Sequence, residues 1–216
     1  MSDDALLRVT EIFHSLQGES RTTGWPTVFV RLTGCPLRCG YCDTTYAFKG
    51  GEWMSIADIV SAVGRYAPRY VTVTGGEPLA QRDCSGLLSA LCDAGYEVSV
   101  ETSGAVDICH LDPRVVRVMD LKTPGSGELD KNRLQNLECL GAGDQVKFVI
   151  CDRRDYEWAR QMLADHPMPK GCEALISPAY GIQEPSELAE WMLQDRLAAR
   201  FQLQLHKILW GEERAR

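Results

Sequence analysis

The chain has 216 residues, 44% hydrophobic and 25% charged, with a formal net charge of −7 and a pI near 5.2. That composition is ordinary for a globular protein with one sizeable core, and its acidic balance argues against a nucleic-acid or anionic-membrane binder, which needs a basic face. No apolar run approaches the ~20 residues of a membrane span, and the acidic start Met1-Ser2-Asp3-Asp4 leads into no apolar h-region, so neither membrane nor secretion is expected.

In chain order, Arg8 to Phe13 reads as a short strand leading into the polar turn Ser15-Leu16-Gln17-Gly18-Glu19. Val28-Phe29-Val30-Arg31-Leu32 is an apolar run of the kind buried on both faces of a sheet. Arg31 interrupts it, and a guanidinium there needs a planar anion, supplied either by a ligand or by a structural salt bridge. Ser55-Ile56-Ala57-Asp58 opens a helix in capping-box style, with Ile56, Ile59, Val60 and Val63 on one face. Val71 to Thr74 is a strand running into Gly75-Gly76-Glu77-Pro78, where two glycines let a backbone approach a ligand closely.

The pattern then repeats. A helix over Asp83 to Ala94 stops at Gly95. Strands Glu97 to Val100 and Val115 to Met119 end at Glu101-Thr102-Ser103-Gly104 and at Asp120-Leu121-Lys122-Thr123-Pro124. A short helix around Leu134 to Leu140 precedes a strand over Val146 to Ile150. A helix from about Asp155 to Ala164 leads to Ala174-Leu175-Ile176, ending at Ser177-Pro178. A helix through Leu188 and Trp191 precedes a last short run, Gln202 to Leu205, then His206-Lys207. Strands alternating with helices predict a parallel sheet with right-handed crossovers. Polar and glycine-rich clusters gather at the C-terminal ends of the strands, where barrel-type and doubly wound α/β folds alike collect ligand groups.

The chemistry concentrates in Cys35-Pro36-Leu37-Arg38-Cys39-Gly40-Tyr41-Cys42-Asp43-Thr44, a C-x3-C-x2-C loop with an aromatic residue before its last cysteine. A structural zinc site is closed by four ligands, whereas three thiolates suit a 4Fe–4S cluster with one iron left open. A zinc loop completed by a distant residue such as His14 or Cys84, or three free thiols in a buried turn, are the alternatives. The other six of the nine cysteines (Cys84, Cys92, Cys109, Cys139, Cys151 and Cys172) show no paired spacing. They read as small core residues in a reducing cytoplasm with no disulfide framework.

The cysteine loop resembles the radical S-adenosylmethionine superfamily. Its flanks, Ser15-Leu16-Gln17-Gly18-Glu19 and Cys42-Asp43-Thr44, resemble within it the 7-carboxy-7-deazaguanine synthase family, over a span from Phe13 to Trp210. The resemblance implies an incomplete, TIM-like parallel barrel of about six βα units, a single radical S-adenosylmethionine domain over residues 1–216. It implies that Cys35, Cys39 and Cys42 hold a 4Fe–4S cluster whose open iron takes S-adenosylmethionine. Tyr41, Cys42, Asp43, Gly76, Asp120, Leu121, Lys122, Ser177, Pro178, Ala179 and Tyr180 are then the cofactor contacts. The implied substrate is 6-carboxy-5,6,7,8-tetrahydropterin, converted by ring contraction and loss of ammonia, with S-adenosylmethionine regenerated.

On the substrate side the resemblance assigns Leu16, Gln17, Gly18, Thr74 and His206 as contacts, Arg31 as carboxylate clamp, Glu101 as acceptor for pterin N–H groups, and Thr44 as ligand of an Mg²⁺ ion. Read without it, Glu101 could be a core carboxylate paired with Lys122 or Lys147, Thr44 a loop hydroxyl satisfying its own backbone, and His206 a structural histidine. Some members place their C-terminal carboxylate on the substrate; the charged extension Gly211 to Arg216 sets this chain apart from them. A homodimer, a flavodoxin- or ferredoxin-type electron donor and no direct contact with nucleic acid are also implied. The rival readings are a glycyl-radical activase, which shares the cluster and Gly-Gly-Glu-Pro but has no need of Arg31 or Thr44, and a non-enzymatic iron–sulfur or zinc protein.

Overall fold

The structure, a computed structural model, describes residues 5–215. The acidic start, on which the expectation of no secretion signal rests, and Arg216 lie outside the described residues. Strands β1 (Leu6–Leu16), β2 (Pro26–Leu32), β3 (Glu52–Ser55), β4 (Tyr70–Gly75), β5 (Glu97–Thr102), β6 (Val116–Asp120), β7 (Gln145–Ile150), β8 (Glu173–Pro178) and β9 (Arg200–Phe201) form one sheet in the order β3-β1-β2-β4-β5-β6-β7-β8-β9. From β2 to β9 every neighbouring pair is parallel. The two edge strands, β3 and β9, do not pair with each other, so the sheet curves into an open, partial barrel. No helix of the described residues is long and apolar enough to cross a membrane.

Helices α1 (Ile56–Gly64), α2 (Cys84–Asp93), α3 (Arg153–Asp165), α4 (Pro185–Asp195) and α5 (Leu205–Trp210) complete the fold. Their local causes are those expected from the sequence. Ser55 Oγ accepts the Asp58 N–H at 3.1 Å at the start of α1, and Ile59 and Val63 are buried beneath it. Gly95, at φ +91°, turns the chain out of α2. Val28, Val30 and Leu32 of β2, Val71 and Val73 of β4, and Val98 and Val100 of β5 join Leu87, Leu88 and Leu91 of α2 in one continuous core. Burial of these side chains is the main source of stability, about 1.5–3 kcal/mol for each large aliphatic side chain.

The structure departs from the sequence expectation in four places. The sheet is not wholly parallel: β1 runs antiparallel to β2 and to β3, and the short strand β3 has no alternating pattern to announce it. The short helix expected around Leu134 to Leu140 is a 3₁₀ turn, Leu134–Cys139. There the Asn136 amide donates to the carbonyls of Gly104 (2.9 Å) and Val106 (2.8 Å), holding the segment against the loop after β5 and leaving no α-helix between β5 and β7. The run Gln202 to Leu205 is not a strand. β9 ends at Phe201, and Leu205 and His206 already open α5.

Finally, Cys109 and Cys139 are joined in a disulfide with Cα atoms 5.1 Å apart, against the expectation that both stand free. Thirty residues separate them in sequence. Without an intervening α-helix, the loop after β5 and the 3₁₀ turn lie side by side, a proximity that spacing alone does not reveal. Cys84 and Cys92 are buried core residues, as expected.

Candidate active site

The C-terminal ends of the parallel strands open into a cavity of about 750 Å³. The cysteine loop leaves β2 and crosses one side of it, where Cys35, Cys39 and Cys42 are free thiols on the wall. Close backbone packing holds the loop in place. Glu77 N–H donates to the Gly34 carbonyl at 2.9 Å, and a Cβ added at Gly76 would fall 2.5 Å from Cys35 Cβ. Gly76 therefore has to be glycine for the cysteine loop to sit against the β4 turn. Glu77 does not face the cavity. It is completely buried and accepts from Leu79 N–H (3.0 Å), Thr102 Oγ1 (2.9 Å), Ser103 N–H (2.7 Å) and Ser103 Oγ (2.5 Å). Its carboxylate is thus the anchor of the Gly-Gly turn, leaving the turn's backbone for a ligand.

Around the thiols stand Tyr41, Asp43, Gly76, Asp120, Lys122, Ala179 and Tyr180, all on the cavity wall. Three residues of the expected cofactor set are elsewhere: Leu121 packs in the core, and Ser177 and Pro178 lie buried on β8 beside the wall rather than in it. Lys122 faces Asp120 at 3.1 Å and the Tyr41 ring at 5.7 Å. Burial works against its charge, but Asp120 and Cys39 together outweigh it and hold the ammonium above the usual lysine range. Burial pushes all three thiols up, the opposite of what a bound cationic metal would do.

The donor set fits an iron–sulfur cluster better than zinc. Among the described residues no three His, Cys, Asp or Glu side chains close on a single ion; a cubane gives each thiolate its own iron, so the three need not meet at a point. The proposed fourth zinc ligands are out of place: His14 lies against the Tyr66 ring, and Cys84 is buried in α2. Two polar atoms beside the thiols, Tyr41 Oη and Asp120 Oδ1, are buried without a hydrogen-bond partner. Such atoms are the expected mark of a polar ligand's seat.

The other end of the cavity is polar and densely wired. Leu16, Gln17, Gly18, Arg31, Thr44, Thr74, Glu101 and His206 all line the same cavity as the thiols, so the expected substrate set is brought together. Gly18 is closely covered by His206: a Cβ at residue 18 would fall 2.6 Å from His206 Nδ1. Arg31 does have a protein partner, Nε donating to Glu11 at 2.7 Å. That contact occupies one edge of the guanidinium and leaves its terminal nitrogens for the cavity. Glu101 is not ion-paired with Lys122 or Lys147. It accepts from Thr74 Oγ1 (3.0 Å) and Gln17 Nε2 (3.2 Å). Burial, reinforced by the Glu19 charge, pushes its carboxyl up.

Four functional residues escape sequence reading. Glu19 forms a very short ion pair with Lys147, and also accepts from Gln204 Nε2 at 2.9 Å and faces His206 at 3.8 Å. Burial alone would raise Glu19, but Lys147 and His206 outweigh it and hold the carboxyl down at about 2. Glu11 orients Arg31 and accepts from the Tyr46 hydroxyl at 2.8 Å. A signal existed for Lys147, which interrupts an apolar strand just as Arg31 does. Glu19 adjoins the Leu-Gln-Gly segment. Glu11 and Tyr46 carry no such mark.

The chain resembles known proteins over nearly its whole length. Residues 29–120 match the model of the radical SAM superfamily. The 7-carboxy-7-deazaguanine synthase of Chlorobaculum tepidum is 45% identical, the alignment covering 99% of this chain and 98% of that one. The chain belongs to the 7-carboxy-7-deazaguanine synthase family. The synthase of Koribacter versatilis is 42% identical with coverages of 96% and 98%. The crystal structure of QueE from Escherichia coli superposes with a TM-score of 0.76 at 26% identity, covering 92% of this chain and 94% of that one. Membership makes the chain a radical S-adenosylmethionine lyase of queuosine biosynthesis, acting on a small molecule with a 4Fe–4S cluster and S-adenosylmethionine as cofactors. It also sets aside the activase and the non-enzymatic alternatives.

Proposed function

We propose that the polar end of the cavity holds 6-carboxy-5,6,7,8-tetrahydropterin, for conversion to 7-carboxy-7-deazaguanine and ammonia, against cofactors held by Cys35, Cys39 and Cys42. The observation that carries this reading is that one cavity is lined both by the three thiols and by a hydrogen-bonded polar set that includes Gln17, Arg31, Thr74 and Glu101. When bound to the cluster, S-adenosylmethionine supplies the radical that removes the substrate's C6 hydrogen. The rest is positioning by the chain. Tyr41 and Asp120 offer unpaired polar atoms to the cofactor, and Gly76 its backbone.

Arg31, oriented by Glu11, presents its terminal N–H groups to the substrate carboxylate, a charge-assisted and bidentate arrangement. Gln17 and Gly18 face the pterin edge, and Thr74 holds Glu101 as an acceptor for ring N–H groups. His206 closes over Gly18. Thr44, whose hydroxyl now donates to Asp43 Oδ1 at 2.8 Å, would give Mg²⁺ one neutral oxygen. That is sufficient for an ion that keeps several waters and takes carboxylate oxygen from the substrate. The family resemblance further supports one domain over residues 1–216, a homodimer, a cytoplasmic setting and a flavodoxin- or ferredoxin-type electron donor.

The roles are tested by kinetics with and without Mg²⁺. Turnover rises with Mg²⁺ and falls on chelation; Thr44→Val flattens that dependence with the cluster intact, and Arg31→Ala raises KM at least tenfold, the loss of about 1.4 kcal/mol or more. Wild-type kinetics in both variants would show that the substrate end is misassigned.

A further inference from the structure

We infer that Arg214, on the C-terminal tail, is a specificity-determining residue that offers the substrate carboxylate a second guanidinium beside that of Arg31. The inference rests on the reading of the cavity as a carboxypterin site. Helix α5 ends at Trp210 and is capped by Gly211, whose φ of +60° turns the chain back, and residues 212–215 return along the cavity wall.

Lys207, only 7% exposed, clasps the tail in place. Its ammonium donates to Glu212 Oε2 at 3.0 Å, faces Asp43 Oδ2 at 3.5 Å, and stands 5.5 Å from the Tyr180 ring. The tail is thereby tied to the segment that follows Cys42. Two residues further on, the Arg214 guanidinium stacks on Tyr46, 4.3 Å from the ring centroid. Arg31 approaches the same ring at 5.9 Å. One aromatic side chain thus stands next to both cations, and its hydroxyl is bonded to the carboxylate that orients one of them.

Charge accounting distinguishes the cations of this wall. Arg31 is matched by Glu11, and Lys207 by Glu212 and Asp43. Among the described residues Arg214 is paired with no carboxylate; its contact is the Tyr46 ring. Stacking engages the face of a guanidinium and leaves the N–H groups in its plane free to bind an anion. A cation held this way at the exposed rim favours carboxylated over uncarboxylated ligands, and acts on binding more than on the chemical step.

The test uses the cluster-loaded enzyme with S-adenosylmethionine. Calorimetry compares 6-carboxypterin with pterin, which has the same rings without the carboxylate, for wild type, Arg214→Ala, Arg214→Gln and Arg214→Lys. Arg214→Ala and Arg214→Gln are expected to weaken 6-carboxypterin about tenfold, the effect of one charge-assisted contact, and to change pterin binding less than about twofold. Arg214→Lys recovers part of the loss. In turnover, KM rises by a similar factor with kcat nearly unchanged, and iron content stays that of wild type. Equal weakening of both ligands, or of neither, would overturn the proposal. If wild type bound 6-carboxypterin no better than pterin, the reading of the cavity would fall, and this proposal with it.

Discussion

The two ends of the cavity are built in different ways. At the cofactor end, short contiguous segments supply the groups, and backbone contacts lock them together: Gly34 against Glu77, Cys35 against Gly76, and Ser103 against the Glu77 carboxylate. At the substrate end the groups come from far apart in the chain. Glu19 meets Lys147 across 128 residues, and Gln17 meets Glu101 across 84. The first construction tolerates little side-chain change because glycines and a fully bonded carboxylate define it. The second is a network of paired charges, in which one member can be altered while the others partly compensate.

The comparison breaks most decisively at the thiols. Replacing Cys35, Cys39 or Cys42 by Ala should abolish cluster assembly, taking iron from about four per chain to near zero. Cys109→Ala and Cys139→Ala should leave it unchanged, because the disulfide they form stands away from the cavity wall. Iron analysis after anaerobic reconstitution reads both; stoichiometric zinc in place of iron would contradict the assignment.

The next largest effect is expected at Glu77. Glu77→Ala strands the donors of Leu79, Thr102 and Ser103 in the interior, a cost of about 4 kcal/mol from several lost charge-assisted bonds. Urea unfolding measures it. Affinity for S-adenosylmethionine should fall as well, since the Gly75-Gly76 turn loses its anchor. A stable variant with unchanged affinity would mean that the turn is held by its glycines alone.

A smaller and pH-dependent effect is expected at the substrate end. Glu19 is held at about 2 in the fold against an ordinary value of 4.5. A depressed carboxyl contributes stability that is present above the unfolded value and lost as pH falls through the folded one. Wild type should therefore lose stability from about pH 4.5 down towards 2. Glu19→Gln should cost about 3 kcal/mol at neutral pH, because Lys147 is left in the interior with Asp120, 3.7 Å away, as its remaining ion pair. Its acid limb should be shallower. Parallel acid limbs in the two proteins would remove Glu19 from the network.

The same contrast explains what could be read in the sequence. The cysteine loop, Gly-Gly-Glu-Pro and the polar ends of the strands are contiguous, so their place at one rim of an open barrel was legible. The apolar run around Arg31 and the caps of α1 and α2 were equally plain. Pairings between distant segments were not. Nothing in the spacing of Cys109 and Cys139 shows that a missing helix lets them meet, and Glu11 is one acidic residue on a strand whose partner becomes visible only in the antiparallel register of β1 and β2. The tail carried charge but no pattern. Only its return from Gly211 puts Arg214 on Tyr46.

The central claim is that one cavity holds the cofactors at one end and the carboxypterin at the other, so that hydrogen passes directly between them. It is tested most directly by supplying the reduced enzyme with S-adenosylmethionine and 6-carboxy-5,6,7,8-tetrahydropterin deuterated at C6. The account predicts 7-carboxy-7-deazaguanine over many turnovers, a nearly constant pool of S-adenosylmethionine, and deuterium entering that pool. No product, with 5′-deoxyadenosine and methionine accumulating steadily, would contradict it.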